Sequence, residues 1–324
     1  MRRRLKTQWM WLTVFITVSF SGTFLLRGNH VREFQSNRTT GRTTESSFSL
    51  ASMKHVTKSL AELGKMDDVN RHFLFLNHVP KCGSEILILL LQKLQGSNNY
   101  RHVRLTGGNK RYLMRSQQEA LVFEMYDIIR KEAIPLSFDR HVYFINFTKF
   151  DRQLPTYINL IRDPVDKILS RTSYNDRLGK KDFYSKCLMR KKNNCNFKNG
   201  KTYDLTIPYF CGHDPRCMML NNDWALQTAK ANVEKYYPVV GVLEELNVTL
   251  EILEYKIPYF FKGIQDLYKK DLLKVYRNKK KPKILKIVQK KLKETLVKEY
   301  EFYEWIKSRL FRQLQIMYGD HNSH

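Results

Sequence analysis

Three stretches of this 324-residue chain combine residue types suited to group-transfer chemistry. The first is Pro80-Lys81-Cys82-Gly83-Ser84, set between an apolar run at 73–79 and a segment whose Ile86, Leu87, Leu90, Leu91 and Leu94 share one helical face. That order predicts a strand, a tight turn and a helix. Backbone N–H groups and the positive end of a helix dipole then point into the turn, where Lys81 adds a cation and Ser84 a hydroxyl. The result is an anion cradle, although an ordinary strand-to-helix turn with a surface lysine has the same pattern. It differs from the nucleotide-hydrolase loop GxxxxGK[ST], because Lys81 precedes Gly83 and only one glycine is present. The second stretch is "RDPVDKILS": Arg162 ends an apolar run at 156–161, Pro164 starts a helix, and Ser170 lies two turns into it. Taken singly, Arg162 pairs with Asp163 or Asp166, and Ser170 faces solvent. The third is His141, in "RHVYFINF"; a neutral imidazole is suited to taking a proton near neutral pH, while a histidine at the start of a strand is more often structural. His78 and His213 are read as structural.

The elements that must position these groups alternate. Strands are expected at 73–79, 140–147, 156–161 and in "PVVGVL", with helices following Ser84, over 116–132, from Pro164, over 221–236, over 249–260, and as one long helix over 284–318. Such alternation implies an α/β fold with a mostly parallel sheet flanked by helices. Ligands of such sheets bind beyond the carboxyl ends of the strands, where both Lys81 and Arg162 are placed. Two anion pockets at this spacing suit a nucleotide phosphorylated at both ends.

Composition frames the domain. Residues 1–7 carry Arg2, Arg3, Arg4 and Lys6 ahead of an apolar segment at 8–26, close to the ~20 residues of a membrane span. The basic end stays cytoplasmic, so a signal-anchor would place the rest of the chain in a lumen; a cleaved signal peptide is the competing reading. Residues 27–68 read as a polar stem and 69–324 as the folded domain. Sequons stand at Asn37, Asn146 and Asn247. Four cysteines, Cys187, Cys195, Cys211 and Cys217, cluster in a loop-rich stretch. Local pairing of Cys187 with Cys195 and Cys211 with Cys217 is the simplest arrangement, and zinc is a rival whose usual ligand spacing is tighter. Cys82 is left over. A formal charge of +26 calls for anionic partners. With an anchor, sequons and an oxidising lumen, those are acidic polysaccharides rather than nucleic acid.

Six blocks in order, "VPKCGS", "RHVYFINFTKF", "YINLIRDPVDKILS", "IPYFCGHDPRC", "VGVLEELNVTL" and "YEFYEWIKSRL", resemble the uronyl 2-O-sulfotransferases of glycosaminoglycan synthesis, Pipe-type enzymes included, with heparan sulfate 2-O-sulfotransferase a more distant relative. The resemblance covers about residues 71–319. It implies a sulfotransferase fold related to the P-loop nucleotide hydrolases in a single-pass type II Golgi membrane protein. The implied sulfate donor is 3′-phosphoadenosine-5′-phosphosulfate (PAPS), used without a metal. By the same resemblance Lys81, Cys82, Gly83 and Ser84 surround the 5′-phosphosulfate, Arg162 and Ser170 hold the 3′-phosphate, and His141 is the catalytic base with Lys81 assisting. It implies two local disulfides, an acceptor of chondroitin, dermatan or heparan type, and it admits a homotrimer. Two positions depart from the pattern. Glu85 puts a carboxylate beside the donor loop, and Asp139 stands where the heparan enzyme has a second histidine.

Two other functions fit the same residues less well. An inactive polyanion-binding protein would keep the basic surface and tolerate Glu85. A nucleotide phosphotransferase would need a magnesium-holding carboxylate motif, and none stands out.

Overall fold

Five short runs pair as strands: β1 (Val69–Leu76), β2 (Arg101–Arg104), β3 (Leu136–Asp139), β4 (Leu154–Ile161) and β5 (Val239–Val242). They form one sheet in the order β2-β3-β1-β4-β5 with every pairing parallel. The computed structural model describes residues 69–107, 110–132, 134–177, 205–273 and 286–321, all within the unit Met53–His324. The expected anchor at 8–26, the stem at 27–68, Asn37, Cys187 and Cys195 lie outside the described residues. Among the described residues no helix is long and apolar enough to cross a membrane.

Every residue of β3, β4 and β5 is buried, as expected of parallel strands covered on both faces. The principal helices are α1 (Ser84–Leu94), α2 (Arg115–Lys131), α3 (Pro164–Arg177), α4 (Asp223–Tyr236), α5 (Leu246–Lys256), α6 (Lys286–Thr295) and α7 (Val297–His321). The face of α1 read from the sequence is the buried one, with Ile88 added. On α3, Val165, Ile168 and Leu169 face inward but join a satellite cluster with Leu205, Leu292 and Leu296 rather than the main core.

Three expectations fail. The segment 140–147 is not a strand: β3 ends at Asp139, and the chain then runs irregularly to a 3₁₀ turn at Phe147–Phe150. Its alternating apolar residues, Val142, Phe144, Ile145 and Phe147, are buried because they pack into an aromatic cluster, Phe144 against Tyr157 and Tyr236 and Phe147 against Phe75. His141 therefore lies just beyond a strand's carboxyl end instead of at a strand's start. Asn146, expected in a strand, caps the 3₁₀ turn through Oδ1, which accepts from the Thr148 N–H at 3.1 Å. The long terminal helix is two helices, broken at Leu296, whose side chain fills the satellite cluster while Phe302, Tyr303, Ile306 and Leu310 of α7 pack on the main core. The fourth discrepancy is an omission: β2, only four residues with exposed arginines at both ends, carries no clear periodic signal.

The carboxyl edge of the sheet is tied by two buried asparagines. Asn159 Nδ2 donates to the Asn77 carbonyl at 2.9 Å and to Asn77 Oδ1 at 3.1 Å. Asn159 Oδ1 accepts from the Leu160 N–H at 2.9 Å and the Val79 N–H at 3.3 Å. Asn77 Nδ2 donates to the Tyr209 carbonyl at 2.7 Å, and Tyr237 OH donates to Asn77 Oδ1 at 3.1 Å. Together they join β1, β4 and the segment around Tyr209. Cutting one amide out of a fully satisfied buried network leaves its partners unpaired. Asn159→Ala is therefore expected to lower unfolding free energy by about 3 kcal/mol, and Asn247→Ala, at an exposed position, to change it by less than about 0.5 kcal/mol; urea titration of both variants reads the difference.

Candidate functional site

Because all five strands run the same way, the segments following β1, β3, β4 and β5 emerge along one edge. After β1 the chain passes through the buried Asn77, His78 and Val79 and then turns. Lys81 (φ 64°) and Gly83 (φ 81°) both adopt left-handed backbone, which swings the chain into α1. Gly83 has a second reason to be glycine: a Cβ there would lie 2.7 Å from Leu243 Cδ1, in the segment after β5. Ser84 Oγ donates to the Val79 carbonyl at 3.0 Å, so the hydroxyl proton braces the turn. No side chain caps α1, and its first N–H groups lack intrahelical acceptors. Burial holds the Lys81 ammonium below its ordinary pKa. The Cys82 thiol is fully buried and pushed up to about 12 by that burial, against the pull of Lys167 and Arg162, so it is not a nucleophile near neutral pH.

After β4, Asp163 caps α3, its Oδ1 accepting from the Asp166 N–H at 2.9 Å and its Oδ2 from Tyr300 OH at 3.0 Å. Arg162 sits between two carboxylates without a close bond to either: Nη2 is 3.7 Å from Asp166 Oδ2 and Nε is 3.9 Å from Glu244 Oε1. Its buried Nε makes no hydrogen bond. Burial raises the Glu244 carboxyl, which is held by the Asp163 N–H at 3.2 Å and Tyr303 OH at 3.3 Å. Ser170 is half-buried on α3. Arg162 thus offers donors to an anion at this edge.

The third group follows β3. His141 Nδ1 lies 2.8 Å from the His78 carbonyl oxygen. A carbonyl has no proton to give, so Nδ1 carries the hydrogen and Nε2 the lone pair. The His78 ring packs against that of His141, centroids 3.7 Å apart and planes tilted by 35°. Burial first, then repulsion from nearby positive groups, lowers His141 to about 4, so the ring is neutral near neutral pH with its Nε2 lone pair unprotonated, though a weaker base than a free imidazole. It lines a cavity of about 500 Å³ with His78, Arg104, Leu105, Gly107, Lys110, Asp139 and Arg140. Beneath this wall Asp139 meets two histidines: Oδ1 accepts from His102 Nε2 at 3.1 Å, and His78 Nε2 lies 3.3 Å from Oδ2. Burial alone would raise the Asp139 carboxyl, but the contacts from His102 and His78 hold it well below the carboxylate range.

The fold places at one sheet edge residues that the sequence spreads over 84 positions, from His78 through His141 to Arg162. Glu85 does not press a bare charge on the turn: its exposed carboxylate is 3.0 Å from Arg104 Nη2, and Arg104 Nε is 3.4 Å from Asp139 Oδ2. His213 Nδ1 accepts from the Leu113 N–H at 3.1 Å, a tie between segments. His78, read as structural, is buried with its ring against that of His141. His102, Arg104, Lys110, Glu244 and the two buried asparagines were missed. The asparagines had a signal, since each interrupts an otherwise apolar run, "FLFLNHV" and "YINLI", where a polar residue needs partners. Cys211 and Cys217 are joined by a disulfide, with Cα atoms 5.6 Å apart, rather than arranged around zinc. Among the described residues no three His, Cys, Asp or Glu side chains are grouped to hold a metal ion.

A family model described as the sulfotransferase family matches residues 65–304. Uronyl 2-sulfotransferase of Homo sapiens is 32% identical over 269 residues, 75% of this chain and 63% of its own length. Uronyl 2-sulfotransferase homolog pip of Drosophila melanogaster is 33% identical over 277 residues, 74% and 52% of the two chains. Heparan sulfate 2-O-sulfotransferase 1 of Gallus gallus is 34% identical over 271 residues, 75% and 71%. The matched region is thus less than two thirds of the length of the uronyl relatives.

His141 and His213 are both lowered by burial to about 4. Between that value and the unfolded ~6.5 the unfolded chain binds protons that the native state refuses, so stability rises with pH across this window and is lost on acidification. The melting temperature is expected to drop by roughly 5 °C or more between pH 6.5 and pH 4.5, and a His213→Asn variant to show a shallower drop in the same scans.

Proposed function

The chain belongs to the sulfotransferase family, and from that premise we propose that it transfers the sulfuryl group of PAPS to the 2-hydroxyl of a uronic acid residue in a glycosaminoglycan or related anionic glycan. The observation that carries this reading is the His141 imidazole, locked by the His78 carbonyl with Nε2 as its basic atom, on the wall of a cavity rich in cations and at the same sheet edge as the Lys81 turn. The relatives' names supply the reaction class, a uronyl or heparan 2-sulfation.

The residues present fit the donor. The free N–H groups of Cys82, Gly83 and Ser84 at the start of α1, with Lys81, receive the 5′-phosphosulfate, and Arg162 with Ser170 receives the 3′-phosphate, the guanidinium already held near the edge by Asp166 and Glu244. His141 Nε2 takes the proton of the acceptor hydroxyl as that oxygen bonds to sulfur and the sulfur's bond to the phosphate oxygen breaks. The electron pair leaves with adenosine 3′,5′-bisphosphate, and Lys81 offsets the charge gathering on the departing oxygen. No metal is required. Arg140 and Lys110 at the cavity suit the carboxylate of the acceptor sugar.

The same reading places the chain in the Golgi membrane as a type II protein, anchored through residues 8–26 with 27–68 as stem and 69–324 lumenal. Asn37, Asn146 and Asn247 are then available sequons, Cys187–Cys195 a second local disulfide, and a homotrimer an admissible assembly. The pairing of Glu85 with Arg104 weakens the inactive-binder reading, because an adjacent guanidinium offsets part of that exposed carboxylate's charge.

The test is transfer from labelled PAPS by the full chain onto desulfated glycosaminoglycans, followed by disaccharide analysis. Label at the uronic acid 2-position is expected. His141→Ala should reduce transfer at least about 100-fold while PAPS binding survives, and Arg162→Ala should weaken PAPS binding by about tenfold or more. Transfer retained by the His141 variant overturns its role; absence of PAPS binding by the native chain overturns the enzyme and leaves the polyanion binder.

A further inference from the structure

Among the described residues Asp139 is a buried charge approached by several basic groups. Its side chain is about 1% exposed and takes contacts from three donors on two segments: His102 Nε2 at 3.1 Å, Arg104 Nε at 3.4 Å and His78 Nε2 at 3.3 Å. The first two belong to β2 and the third to the segment after β1. The tautomers follow from this geometry. An ionised carboxylate can only accept, so His102 carries its hydrogen on Nε2, and its Nδ1 accepts from Ser137 Oγ at 2.7 Å. His78 Nε2 faces the same carboxylate at 3.3 Å, an ion-pair contact in which Asp139 Oδ2 makes no formal hydrogen bond, and a neutral His78 ring is favoured with its hydrogen on Nε2, toward that charge, and Nδ1 bare. That Nδ1 is buried and has no hydrogen-bond partner.

An orphaned buried nitrogen is costly to maintain, and two polar or ring contacts orient this buried ring: the Asp139 carboxylate at one edge and the His141 ring against its face, centroids 3.7 Å apart and planes tilted by 35°. The His78 main chain also supplies the carbonyl that binds His141 Nδ1. One residue thus carries both surfaces against which His141 is set, and Asp139 fixes that residue.

We propose that Asp139 is a positioning residue for His141, acting through His78 rather than by contact: it pins the His78 ring so that the His78 carbonyl keeps His141 in the tautomer with a free Nε2. The proposal rests on His141 being the base of the reaction described above. Arg104 couples the device to Glu85 at the start of α1, so the donor turn and the base share one run of alternating charges, Glu85, Arg104 and Asp139. The carboxylate has a second effect in the same direction, since its charge favours the imidazolium that His141 becomes on taking a proton.

The test separates this device from the reaction. In the full chain labelled with ¹⁵N in its histidine rings, at neutral pH, His141 is expected as a single Nδ1–H tautomer and His78 as a single Nε2–H tautomer, assigned by loss of each signal in His141→Gln and His78→Phe. Asp139→Asn keeps the shape and removes the charge; it should shift the His141 ring nitrogens toward averaged values and, in the transfer assay, reduce kcat roughly tenfold or more with donor affinity within about twofold. His78→Phe, which keeps a stacked ring but cannot reach Asp139, should do the same. A His141 spectrum unchanged in both variants overturns the proposal, even if melting temperature falls. So does a native spectrum with His78 protonated on Nδ1, a result that needs no variant to fold. The ring spectra remain readable if the native chain transfers no sulfate, so failure of the reaction is not mistaken for failure of the device.

Discussion

The site depends on one buried amide pair. Asn77 stands where β1 leaves the sheet, Asn159 lies within the neighbouring β4 just past its last β1 pairing, and backbone groups that leave a ladder inside a protein must be paired by something. Their amides supply those partners: they fasten β1 to β4, fix the direction in which residues 77–79 leave the sheet, and hold the Tyr209 carbonyl against the same point. Everything chemical follows from that exit direction. It puts the His78 carbonyl under His141 and starts the left-handed turn through Lys81 and Gly83. A less satisfied pair would leave the turn free to sample other exits, and the donors on α1 would point at no fixed place.

Electrostatics at this edge is more balanced than a net charge of +26 suggests. Arg104 lies between Glu85 and Asp139, Arg162 between Asp166 and Glu244, and the buried Lys167 ammonium donates to Thr206 Oγ1 at 2.6 Å while the Glu299 carboxylate binds the Thr206 and Ile207 N–H groups. Paired cations stay in place before any anion arrives, which lowers the ordering cost of binding one. The distances grade the pairs. Arg104 is close to its carboxylates, whereas Arg162 is held loosely, at distances an incoming phosphate can better. The surplus positive charge elsewhere then acts at long range, on a polyanion approaching the surface.

The sequence was most readable where one periodicity ruled. The strand, turn and helix around Lys81, the apolar β4 and the buried face of α1 all follow from local pattern. It misled at 140–147, because alternation of buried and half-buried residues arises in an irregular segment packed on an aromatic cluster as readily as in a ladder. It was silent on β2, which is too short to show a period yet contributes His102 and Arg104. The segments that carry Lys81, His141 and Arg162 leave the sheet along one edge, but the supports of these residues could not be read from motif order. His102, Asp139 and Glu244 act through contacts between segments distant in the chain, and only the sheet order β2-β3-β1-β4-β5 makes β2 the neighbour of β3 and β5 the neighbour of β4.

The contact between Gly83 and Leu243 has a consequence for engineering. With only 2.7 Å between a notional Cβ and Leu243 Cδ1, any side chain at 83 would oblige the end of the Leu243 side chain to move, so the segments after β1 and β5 share a contact, although 160 positions separate them. Exchanging the turn at 80–84 for that of a relative, without its partner at 243, would import a shape cut for a different neighbour. Loop grafts between members of this family should therefore move the two segments as one cassette, and a collection of natural sequences should show residue size at these two positions varying in step.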